Sequence, residues 1–117
     1  MTQPHEIPEL NYVTFSGIVT QKDSLSTSSL RMYVIRFKVR NTLTRQDSPG
    51  GKVNTYEILT EAWGELAEEI DRNLPTGAAV LVEGSLVTRV FVDRNSNEEH
   101  HKMIVKASSV SRLDTRA

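Results

Sequence analysis

Two of the six glycines stand inside strand-like runs rather than between them. Gly17 interrupts "NYVTFSGIVTQ" (11–21), and Gly84 interrupts "VLVEGSLVTRVFV" (80–92). Glycine in a strand interior weakens the strand, so it marks a bulge, a sharp bend or another backbone coming close. A small sheet that curls onto itself needs such corners. The chain therefore reads as a strongly curved sheet in which one long strand changes direction at Gly84.

The other runs fit the same sheet. "RMYVIRFKVRN" (31–41) alternates cleanly, with Tyr33, Ile35, Phe37 and Val39 on one face and Arg36, Lys38 and Arg40 on the other. That period of two predicts a half-buried strand. "VNTYEILTEAW" (53–63) reads as a third strand and "KMIVKASSV" (102–110) as the last. Between them, "GELAEEIDRNLP" (64–75) places Leu66, Ala67, Ile70 and Leu74 on one helical stripe that Pro75 ends. "KDSLSTSS" (22–29), "RQDSPGGK" (45–52) and "DRNSNEEHH" (93–101) are polar loops or hairpin tips. The fold expected is all-β, a five-stranded OB-fold barrel with one short helix between the third and fourth strands. Another α+β roll is the competing arrangement. The 117 residues suffice for one domain, taken as 10–113, with a flexible N-terminal lead-in at 1–9 and a frayed C-terminus at 114–117.

A net charge of −1 gives no global field toward nucleic acid or membranes, so any anion site must come from local segregation. Such segregation is present. Residues 31–45 hold Arg31, Arg36, Lys38, Arg40 and Arg45 and no acid, whereas residues 57–71 hold Glu57, Glu61, Glu65, Glu68, Glu69 and Asp71 and no base. A cationic stripe on a sheet face suits a phosphate backbone, and it equally suits a solvated strand guarded against edge pairing. The second half of the glycine-interrupted strand favours the former. Beyond Gly84, Leu86, Thr88, Val90 and Val92 share one parity, expected to face the core, and Val87, Arg89 and Phe91 share the other. Arg89 and Phe91 then stand side by side outside, the pairing that grips both the phosphates and the bases of a single strand. A subunit interface or a second small core is the competing place for Phe91.

Other chemistry finds little support. The absence of cysteine excludes disulfides and thiolate metal sites. No apolar run approaches the ~20 residues of a membrane span, and the N-terminus lacks secretory-signal features. His5, His100 and His101 are the only imidazoles, and adjacent histidines on an extended chain point opposite ways, so no metal site is expected. The serines at 24, 26, 28 and 29 lack a base pattern, and "DSPGGK" lacks the frame of a phosphate loop. No enzyme activity and no cofactor are expected.

With these residues in view, the chain resembles the bacterial-type single-stranded DNA-binding protein (SSB) family. The likeness runs from about Leu10 to Leu113. It rests on Asn11 and Gly17 in the first strand, on "AWGELAEEI" (62–70), and on "TGAAVLVEGSLVTRVF" (76–91). The resemblance implies an OB-fold, a homotetramer (or a dimer) and single-stranded DNA wrapped over the surface. It implies that Trp63 and Phe91 are base-stacking aromatics and that Arg89 contacts phosphate. Arg36, Lys38 and Arg40 would lie on the strand lining the DNA path.

Departures from the family pattern are specific. Glu57 occupies a slot for a stacking aromatic, Arg45 falls near another, and Val87 replaces a basic residue. Glu61 shares parity with Glu57 and Trp63, so two acids are expected to line part of the DNA surface and repel phosphate. The family's long tail with an acidic, phenylalanine-terminated tip has no counterpart after "LDTRA", as in the short relatives of cyanobacteria and plastids or the primosomal replication protein. The function expected is sequence-tolerant single-stranded DNA binding in replication, repair or recombination, through Arg36, Lys38, Arg40, Trp63, Arg89 and Phe91. The place expected is the cytoplasm, with the nucleoid, or an organellar stroma. A protein-interaction OB module of a replication complex, with replication or recombination proteins as partners, is the alternative, and RNA binding is a third. Arg31, Arg45 and Arg94 are left open as extensions of the path.

Overall fold

A computed structural model of the protein describes residues 7–45 and 50–113. The expected lead-in, hairpin tip and frayed tail fall partly or wholly outside these, as does His5. The described elements are β1 (Val13–Lys22), β2 (Ser26–Thr27), β3 (Tyr33–Arg45), β4 (Lys52–Trp63), helix α1 (Gly64–Asn73), β5 (Ala79–Val92) and β6 (Glu99–Arg112). The sheet order is β1-β5-β6-β4-β3-β2, and β1 also pairs with β3. That extra pairing closes the five long strands into a mixed barrel, with the helix after β4, as an OB-fold requires. The pair β4–β6 is parallel, and the others are antiparallel.

Alternation builds the core. Ile35, Phe37 and Val39 of β3 are buried, while Arg36 and Lys38 between them stay half-exposed and Arg40 exposed. Val19, Ala62, Val80, Val82, Val105 and Ala107 fill the rest of the interior. Helix α1 buries Ala67 and Ile70 against it, with Leu74 just past its end. The Lys22 ammonium donates to the carbonyls of Ile70, Asp71 and Leu74 at 3.4, 3.0 and 3.0 Å. It thereby satisfies the Asp71 carbonyl, whose helical donor position is Pro75, and places a cation at the negative end of the helix.

Both strand glycines mark close approaches. A Cβ at Gly17 would strike the Arg40 carbonyl, at the point where β1 leaves β5 for β3. A Cβ at Gly84 would strike the Lys106 carbonyl, and the β5–β6 register slips between Glu83 and Gly84. Gly84 is also the last β5 residue paired with β1. The Asn11 amide takes over from there: its Nδ2 donates to Leu86 O at 2.9 Å and its Oδ1 accepts from Leu86 N at 2.8 Å. Beyond the bulge β5 keeps β6 alone as its partner.

Two expectations change. The loop at 93–101 is shorter, because β6 begins at Glu99 and carries His100 and His101 in strand. Cross-strand pairing with Phe91 and Val90 orders those polar residues, a signal their composition does not carry. Leu86, Thr88, Val90 and Val92 have the parity of the core side, since Leu86 pairs with buried Val105. Yet Leu86, Val90 and Val92 are 42%, 50% and 57% exposed. The β5–β6 ribbon overshoots the barrel, so its inner face has no core beneath it.

Candidate nucleic-acid interface

The outer wall of the barrel is set by register. Across β3 and β4, Val34, Arg36, Lys38 and Arg40 stand opposite Trp63, Glu61, Leu59 and Glu57. Across β5 and β6, Ser85, Val87, Arg89 and Phe91 stand opposite Lys106, Ile104, Lys102 and His100. The short β4–β6 ladder places Glu61 beside Lys106 and so joins the two halves. This wall gathers six cations against two carboxylates, on a chain whose net charge is −1.

Glu61 lies at its centre, and its side chain is wholly buried. Arg89 donates from Nη2 to Oε1 at 2.7 Å and from Nε to both carboxylate oxygens at 3.1 and 3.2 Å. Arg36 Nε donates to Oε2 at 3.1 Å, and the Trp63 indole N–H donates to Oε1 at 2.6 Å. Burial pushes the Glu61 carboxyl up, but the bonds from Arg89, Trp63 and Arg36 outweigh it and hold it below its ordinary value. The carboxylate likewise raises Arg89 above the usual arginine value. Removing one donor leaves a buried carboxylate short of a partner, which destabilises it, although the partly exposed guanidiniums bring the cost below that of a fully buried pair.

This arrangement corrects the expected pair of repelling acids. Glu57 is exposed and accepts a bond from Thr20 Oγ1 at 3.2 Å. Glu61 is not a surface acid at all. The two arginines and the indole converge on it, and its side chain has no exposed surface.

The aromatic rings sit against the same cations. The Arg36 guanidinium and the Lys102 ammonium each lie 5.3 Å from the Phe91 ring centroid. The Lys106 ammonium lies 5.7 Å from the Trp63 ring. Contacts of this type contribute about 0.5–1 kcal/mol at exposed positions. Lys38 and Lys102 flank an open depression of about 440 Å³, also lined by Glu57, Leu59, Met103 and Ile104.

Of the six residues singled out from sequence, Arg36, Trp63, Arg89 and Phe91 converge, Lys38 lies beside them, and Arg40 stands exposed opposite Glu57. Arg31 lies between β2 and β3, Arg94 lies in the β5–β6 turn, and neither belongs to the register of this wall. Sequence reasoning missed Glu61 as an organiser and Lys102 and Lys106 as wall residues. Their spacing of four in β6 puts both lysines on one face, but only the hairpin register says which face.

Residues 10–113 match the family model described as the Single-strand binding protein family. The chain belongs to the single-strand binding protein family. Membership brings single-stranded DNA binding as its activity class, by proteins that are not enzymes. No curated protein matches the chain. In this single-strand binding protein no described helix is long and apolar enough to cross a membrane. Among the described residues no group of three His, Cys, Asp or Glu could hold a metal ion.

Proposed function

We propose that the protein binds single-stranded DNA with little sequence preference, along the outer wall formed by β3, β4, β6 and β5. Trp63 and Phe91 serve as stacking platforms, and the cations around them hold the phosphates. The observation that carries this is the convergence of both rings with Arg36, Arg89, Lys102 and Lys106 on one wall. Stacking tolerates any base because every base has a π face, and each stacked base contributes about 1–3 kcal/mol. Replication, repair or recombination, in the nucleoid or an organellar stroma, is the setting in which such single strands arise.

The uncovered inner face of the β5–β6 ribbon, with Leu86, Val90, Val92 and Met103 exposed, supports assembly into a dimer or tetramer. A second reading, a protein-interaction module of a replication complex, is favoured by Glu57, an exposed carboxylate on the wall itself. Phe91→Ala separates the readings. It should weaken oligo-dT binding by about 1–3 kcal/mol in fluorescence anisotropy while leaving the circular dichroism spectrum unchanged. Unchanged affinity in a folded variant would remove Phe91 from the site. Capture of replication proteins without DNA, by a chain that does not bind oligo-dT, would favour the second reading. DNA and RNA oligomers of equal length, compared side by side, report the preference between them.

A further inference from the structure

We infer that Glu61 divides the cations of this wall into two classes. It clamps Arg36 and Arg89 in place on the wall, and it leaves most of the phosphate neutralisation to the lysines, chiefly Lys102 and Lys106. The inference rests on the single-stranded DNA reading above and assigns, within that site, a positioning residue and two phosphate contacts.

The geometry separates the classes. Arg89 commits both Nε and Nη2 to Glu61, and Arg36 commits Nε. The carboxylate that they share has no exposed side-chain surface. A phosphate that drew either guanidinium away would strip a partner from a buried charge. The remaining edges of the arginines stay available to hydrogen-bond, but the one carboxylate offsets one of their two positive charges. Counterion release depends on uncompensated charge, so the clamped pair contributes less to it than two free arginines would.

Lys102 and Lys106 are placed differently. Among the described residues the salt bridges are those of Glu61 and a long His101–Glu99 pair, so neither β6 ammonium is tied to a carboxylate. Each rests instead on an aromatic face, Lys102 on Phe91 and Lys106 on Trp63. An incoming base would claim that face, and the flexible lysine stem then carries the ammonium outward to the adjoining phosphate. Register places Lys102 beside Arg89 and Lys106 beside both Ser85 and Glu61, so the two lysines bracket the clamp along β6. Stacking and charge release are thus coupled on each ring.

The test is the salt dependence of oligo-dT affinity in the full chain, where each phosphate neutralised on a single strand adds about 0.7 to the slope of log K against log salt. Lys102→Ala/Lys106→Ala, two changes at exposed positions, should flatten the slope by about 1.4. Glu61→Gln keeps an oxygen acceptor at nearly the same volume but frees one arginine charge. It should steepen the slope by about 0.7 and tighten binding at low salt. Glu61→Asp, which retains the charge, should keep the wild-type slope, so that a steeper slope in Glu61→Gln alone traces to the lost charge. An unchanged slope in the folded lysine variant or in folded Glu61→Gln overturns the inference while leaving DNA binding intact. If Glu61→Gln does not fold, the lysine variant alone decides. Failure of the unaltered protein to bind at low salt overturns the inference together with the reading beneath it.

Discussion

At the residue scale, a single buried carboxylate decides how the basic wall is organised. Glu61 is ionised in the fold because three donors from β3, β4 and β5 converge on it, with Lys106 beside it in register. A carboxyl held below its ordinary value stabilises the fold above the unfolded value of about 4.3, and that contribution disappears as pH falls through the folded value. The melting temperature should therefore hold from neutrality down to about pH 5, then drop below about 4.3. In Glu61→Gln the drop over the same interval should be smaller. Equal acid sensitivity in the two proteins would count against the ionised, clamped carboxylate. Gly84 makes a separate residue-scale prediction. Its replacement by alanine drives a methyl into the Lys106 backbone, and overpacking of that kind costs about 1–3 kcal/mol. Chemical denaturation measures it, and a neutral effect would mean that the bulge shifts freely.

At the scale of elements, what can be read from sequence depends on whether the information is local. The alternation of Ile35, Phe37 and Val39 with Arg36, Lys38 and Arg40 is local, and it places both the core and the cationic face of β3. The helix stripe of Ala67, Ile70 and Leu74 is local too, and so is the interruption at Gly84. The clamp is not local. Arg36 and Arg89 lie 25 and 28 residues from Glu61, and only the β3–β4 and β4–β6–β5 registers bring them onto it. In sequence Glu61 is one more acid in an acidic run. The length of β5 was legible in 80–92, whereas the full extent of β6, beyond 102–110, and the reach of the ribbon past the barrel were hidden for the same reason. At 14 residues each, β5 and β6 span about 45 Å, longer than the barrel can cover. Their apolar inner positions therefore read as core and stand exposed. Two predictions belong here. Lys22→Ala should lower stability by about 1–2 kcal/mol through the unsatisfied Asp71 carbonyl at the end of α1, measurable by thermal melting. Val90→Lys, at a 50% exposed position of the overshooting ribbon, should shift sedimentation toward smaller assemblies if that face joins subunits. An unaltered sedimentation profile would place the subunit contact elsewhere.

At the scale of the whole molecule, a nearly neutral chain presents a basic wall by sorting its charges between faces. Acids of α1 such as Glu65, Glu69 and Asp71 are exposed on the helix, away from the β3–β4–β6–β5 register. One acid of the wall, Glu61, is buried beneath arginines and leaves only Glu57 exposed there. The barrel supplies a stiff curved support, and in the proposed function the two rings supply contacts that ignore base identity. The lone tryptophan, Trp63, lies within this wall, so its emission reports occupancy directly. Titration of that emission with oligo-dT, at low and at raised salt, is the most direct measurement. Saturable quenching at low salt, with affinity falling steeply as salt rises, is the expected result. Emission that stays unchanged through the low-salt titration would contradict single-strand binding on this wall.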